Sequence, residues 1–67
     1  MITQIGIVAG EIWHYLDKHE RVAMLSALVK DIDKEKDLIL MSLGWLAREG
    51  HVLLEKDGSA YKITLRG

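Results

Sequence analysis

Cysteine, proline and phenylalanine are all missing from this chain of 67 residues, and its aromatic set is two tryptophans and two tyrosines. Without cysteine there is no disulfide and no thiolate to hold a metal, which fits a reducing compartment and leads to the expectation of a cytoplasmic protein. No proline, repeat, low-complexity tract or charge block marks a linker, so one domain is expected over residues 1–67. No apolar run approaches the roughly 18 residues that would span a bilayer, so no membrane association is expected. The opening MITQIGIVAGEIW lacks a basic flank and is interrupted at Glu11, which argues against a signal peptide. An excess of positive charge is also lacking: the formal net charge is -1 and the sequence pI about 6.3. Domains that hold DNA by electrostatics alone usually have a pI above about 9.

What is abundant is apolar surface. Apolar residues and glycine together make up roughly 55% of the chain, against a usual 45–50% for soluble domains. A chain this short buries only about 60% of the surface its unfolded form exposes. The surplus must therefore lie exposed or be shared with a partner.

Hydrophobic periodicity divides the chain into elements. Ile5, Val8, Ala9, Ile12 and Leu16 recur at i, i+3, i+4, i+7 and i+11, which predicts a helix over residues 3–18 with Glu11, His14 and Lys18 facing water. HERVAM then reads as a short extended stretch with Val22 inward. A second helix is expected over residues 24–31, carried by Leu25, Leu28 and Val29. Asp33 is placed to cap a third helix over residues 34–49, with Ile32 beneath the turn. Ile39, Leu43 and Leu46 form the buried stripe of that helix, and Ser42 on its edge is small enough to let another helix cross closely. Gly50 is its expected stop, because a left-handed residue there costs glycine little.

The last segment, HVLLEKDGSAYKITL, contains a strong two-residue hairpin signal at Asp57-Gly58. That turn would set Lys56 opposite Ser59, Leu54 opposite Tyr61 and Val52 opposite Ile63. The apolar pairs then share one face, leaving Leu53, Glu55, Ala60, Lys62 and Thr64 on the other.

The resulting order of elements is helix, short strand, helix, helix, strand, turn, strand. With the pattern IxxSLxxLxxxGxV from Ile39 to Val52, the chain resembles the winged helix-turn-helix superfamily from end to end. AGEIWHYL and GWLAREG together resemble a group of short, stand-alone, poorly characterised winged-helix proteins of microbes. The resemblance implies an α+β winged helix-turn-helix fold: three helices, a short strand and a C-terminal β-hairpin wing. It brings no settled activity.

If such a domain docks double-stranded DNA with its third helix, the exposed face would present Lys34, Asp37, Met41, Gly44 and Arg48, flanked by Leu40 and Trp45. Base readers are chiefly Arg, Lys, Asn and Gln, and here only Lys34 and Arg48 qualify. The wing adds Lys56, Lys62 and Arg66 against Glu55 and Asp57. Those five cations are the candidate DNA contacts, too few for strong electrostatic affinity. Leu40, Met41 and Trp45, with Leu53 of the wing, form instead a candidate protein interface, since exposed apolar patches containing Trp and Met mark such contacts.

Gly6 and Gly10 sit one turn apart in the first helix and suggest close packing, against the body or a twin subunit. A later helix start would also account for them. Catalysis is not expected. Glu11 and His14 have an i, i+3 spacing seen in metal pairs, but such sites draw on four helices. His14 and His19 do not share a helix face, and His51 is suited to the carbonyls at a helix end. No cofactor, metal or small-molecule substrate is indicated. Function is narrowed to a non-enzymatic module of the transcription-regulator type, docking DNA weakly as a homodimer. The alternative is a protein-interaction module using the apolar face of the third helix.

Overall fold

In the computed structural model, residues 1–66 are described. The elements are α1 (Ile2–Lys18), β1 (Val22–Met24), α2 (Leu25–Asp31), α3 (Lys36–Arg48), β2 (Val52–Asp57) and β3 (Ala60–Leu65). Three helices and a three-stranded antiparallel sheet of order β1-β3-β2 make an α+β winged helix-turn-helix.

The stripe of α1 turns inward as its periodicity requires: Val8, Ala9, Ile12 and Leu16 are buried. They meet Leu28 of α2, Ile39, Leu43 and Leu46 of α3, and Val52, Ile63 and Leu65 of the hairpin in one apolar cluster. Ser42 lies fully buried within this packing. Its hydroxyl donates to the Leu38 carbonyl at 2.7 Å, so the buried polar atom is satisfied inside its own helix. Tyr15 ties α1 to α2 by donating to Asp31 Oδ2 at 2.6 Å. The hydrogen bond to Asp31, with lesser contributions from burial and from the Asp31 charge, pushes the Tyr15 phenol above its ordinary value of 10.0.

α1 turns into β1 through two left-handed residues that are not glycine, Glu20 and Arg21, with φ of 64° and 67°. Each costs roughly 1–2 kcal/mol, and the turn is held from several sides. The Arg21 amide donates to the Leu16 carbonyl at 2.8 Å, and the Leu65 amide donates to the Arg21 carbonyl at 2.8 Å. The inward residue of β1 is Ala23, not Val22. β1 pairs with β3 so that Ala23 lies opposite the buried Ile63 and Val22 opposite Thr64. A one-residue change of phase exchanges the two faces of a strand.

α3 starts two residues later than periodicity suggested. The Lys34 amide donates to the Ile32 carbonyl at 2.8 Å, a tight turn over the buried Ile32 that leaves Asp33 and Lys34 outside the helix. Glu35 occupies the cap position with no side-chain capping bond, so Asp33 is not the N-cap. The other end is as expected. Gly50 has φ of 79°, its amide donates to the Ala47 carbonyl, and the His51 amide donates to that of Leu46. That pair of bonds is a Schellman stop.

The wing differs from expectation by two residues of register. Asp57 faces Ala60, Lys56 faces Tyr61, Leu54 faces Ile63 and Val52 faces Leu65. The turn residues are therefore Gly58 and Ser59, and Gly58 alone of the two has a positive φ, 66°. Glycine at the first central position matches a type II′ turn, whereas a turn at Asp57-Gly58 of type I′ would force Asp57 left-handed as well. A shift of two preserves the alternation of side chains, so the apolar face stays inward.

Candidate interaction surface

The exposed side of α3 follows from its buried one. With Ile39, Ser42, Leu43 and Leu46 inward, Leu40, Met41, Gly44, Trp45 and Arg48 are exposed. Leu40, Met41 and Trp45 keep 42%, 43% and 46% of their surface in solvent. Cations occur only at the two ends of this helix, Lys36 in the first turn and Arg48 in the last.

The large apolar residues do not converge on one patch. Trp45 leans toward the start of α1, where it shares a shallow cleft of about 230 Å³ with Ile2, Ile5 and Gly6. Its ring lies 6.2 Å from that of His51, tilted by 37°. Leu40 points the other way, into a groove of about 440 Å³ between α3 and the wing, lined also by Leu54, Tyr61 and Leu25. Met41 is exposed between these two flanks. Leu53 lies on the outer side of the hairpin, opposite Thr64 and away from Leu40.

The five cations are equally dispersed. Lys34 precedes α3 and pairs with Glu11 Oε1 of α1 at 3.4 Å. Lys62 pairs with Glu55 Oε1, its cross-strand neighbour, at 3.6 Å. Arg48 is exposed at the end of α3, and Arg66 follows β3 with its amide donating to the His51 carbonyl. Lys56 stands on the inner face of the wing tip with its Nζ 5.9 Å from the centre of the Tyr61 ring. The structure thus brings Lys56 toward the Leu40 groove and holds Lys34 and Lys62 to carboxylates elsewhere.

Two contributors to this surface escape a reading of the sequence alone. Leu54 and Tyr61, 44% and 46% exposed, sit on the inward face of the hairpin without being covered by the helices. Buried Val52 and Leu65 close the base of the wing, and the tip overhangs α3. Closeness to the turn was the available signal for Tyr61; Leu54 lies opposite the buried Ile63 and is left in water because β2 is the edge strand of the sheet, which the order of strands alone reveals.

The glycines contribute open space. A Cβ placed on Gly6, Gly10 or Gly44 would meet nothing within 4 Å. Gly6 and Gly10 are therefore not explained by close packing within the chain, nor by a later start of α1, which already runs from Ile2. Glu11 is engaged by Lys34, and among the described residues no three His, Cys, Asp or Glu side chains gather around a point where a metal ion would sit. No helix among them is long and apolar enough to cross a membrane.

With three helices, the short first strand and the wing in place, the comparison with known families is decisive. Residues 1–65 match the family described as "Winged helix-turn-helix domain (DUF2582)". The chain belongs to that family. It is also similar to an uncharacterized protein, MJ1608, of Methanocaldococcus jannaschii. The two are 36% identical over 69 residues, covering 98% of this chain and 96% of the relative. No solved structure matches the chain.

Proposed function

We propose that this chain is a non-enzymatic winged-helix module of the transcription-regulator type that works through protein contacts made by the exposed face of α3, one of them with a second copy of itself. The half-exposed run of Leu40, Met41 and Trp45 carries the reading. A helix that reads bases presents Arg, Lys, Asn or Gln in bidentate geometry at its centre; here the centre is leucine, methionine, glycine and tryptophan. Apolar groups of this kind gain when removed from water, by about 25 cal/mol per Å².

The self-contact is assigned to the flank formed by Trp45, Ile2 and Gly6, where the open glycines of α1 let a second backbone approach. Sedimentation should give a mass above 7.6 kDa, and Trp45→Glu or Met41→Glu should return the chain to a monomer. A monodisperse monomer at high concentration would rule the self-contact out. The compartment in this reading is the cytoplasm.

A second reading, weak docking on double-stranded DNA, is favoured by Arg48, Lys56 and Arg66, which form no ion pair among the described residues. Three phosphate contacts give a shallow salt dependence, with a log–log slope of about -0.9 for each phosphate neutralised. Random duplex titrated at low salt and followed by backbone NMR decides between the readings. Shifts along α3 that are lost on changing Arg48 and Lys56 to glutamate support DNA docking. Absence of any shift ends it.

A further inference from the structure

We propose that the groove between α2, α3 and the wing receives an acidic, leucine-bearing segment of a partner protein. This rests on the protein-contact reading of α3 but uses the flank opposite Trp45.

The floor of the groove is apolar. Leu40 and Leu54 face it half-exposed, Leu25 closes the α2 side, and Gly44 withholds the side chain that would otherwise fill it. Its volume is about 440 Å³. Next to it, sharing Leu25, Lys36 and Tyr61, lies a hollow of about 520 Å³ that reaches Lys30 at the end of α2.

The rim is cationic. Lys30 and Lys36 line the hollow, Lys36 lines the groove as well, and Lys56 hangs over Tyr61 from the wing. None of the three forms an ion pair among the described residues, whereas Arg21, Lys34 and Lys62 each do. No Asp or Glu lines either depression, although acids outnumber lysine and arginine in the chain as a whole. Lys30 and Lys36, both unpaired, thus line depressions that expose leucines, and no carboxylate lines them with these lysines.

Two kinds of macromolecule would meet those lysines. Nucleic acid would satisfy them with phosphate and leave Leu40, Leu54 and Tyr61 without an apolar partner. An amphipathic acidic segment satisfies both, its leucines filling the floor and its carboxylates meeting the rim, as helices bound in hydrophobic grooves do. Complementary charge of this sort also excludes wrong partners.

The test uses the full chain and a fluorescently labelled amphipathic peptide of leucine and glutamate, with its leucine–glutamine counterpart. Anisotropy should show binding of the acidic peptide, and amide shifts should map to Leu40, Gly44, Leu54 and Tyr61. Leu54→Glu, and separately Lys36→Glu combined with Lys56→Glu, should each weaken binding at least about tenfold, while Lys18→Glu, at the exposed end of α1, leaves it unchanged. The glutamine peptide should bind at least about tenfold more weakly. Equal binding of the two peptides, or shifts confined to the Trp45 flank, would overturn the proposal. So would random duplex DNA shifting the groove residues more strongly than the peptide at equal ionic strength, or a dimer that Leu54→Glu dissociates. If the peptide fails while Trp45→Glu still converts a dimer to a monomer, the groove assignment alone falls and the wider protein-contact reading stands.

Discussion

Replacing Gly44 by alanine is the sharpest probe of how α3 is built. Gly44 lies inside the helix, and beyond its own turn of helix the added methyl would meet no atom of the described residues within 4 Å. Only the backbone then matters. Glycine in a helix interior is about 0.8–1.0 kcal/mol less favourable than alanine, so Gly44→Ala should stabilise the isolated domain by about that amount. For a domain of this size the gain corresponds to a rise in Tm of roughly 4–8 °C. Gly50→Ala is the built-in control, because the same methyl there also has free space but sits at φ of 79°. A left-handed alanine costs roughly 1–2 kcal/mol, so this variant should lose stability by about as much. Thermal and urea unfolding by circular dichroism, at protein concentrations too low for self-association, would measure both. If Gly44→Ala destabilises, or if the two variants shift in the same direction, the backbone account of these glycines is wrong. A methyl at Gly44 also intrudes on the groove, so the stabilised variant should bind the acidic peptide more weakly.

Other substitutions test the packing and the polar ties. Leu28→Ala, at a fully buried site, should cost about 2–5 kcal/mol, a large share of what a chain this short possesses, measured as a lower urea midpoint. Glu55→Gln, which removes the exposed pair with Lys62, should change stability by less than about 1 kcal/mol; a larger loss would mean that the pair holds the wing. Tyr15→Phe tests the bond to Asp31 through pH. Because the folded state holds the phenol above 10.0, its contribution is complete below that pH and is lost as pH rises through the raised value. Unfolding curves of wild type and variant should therefore converge in strong alkali, and a gap that widens with pH would refute the tie.

Local pattern was enough for the elements themselves. The α1 stripe, the inward Ile39, Leu43 and Leu46, the Gly50 stop and the parity of the hairpin all follow from side-chain spacing and from the conformational range of glycine. Those are properties of neighbours in the chain. They carry the α+β order of elements and hence the winged-helix family.

Placement along and between elements was decided by contacts distant in sequence. Both Asp57-Gly58 and Gly58-Ser59 satisfy the alternation of the wing, and the choice rests on which residue takes a positive φ while Leu65 finds Val52. Lys34 looked like part of a reading helix until the turn over Ile32 and the carboxylate of Glu11 held it outside. Leu40 and Trp45 lie five residues apart on one helix, yet one opens beneath the wing and the other toward α1. Leu54 and Tyr61 carry the same inward parity as Val52 and Ile63, but Leu54 stands on the edge strand and Tyr61 near the turn, and both stay in water. Periodicity tells a side chain which way to point; what it meets there depends on where the rest of the chain has gone.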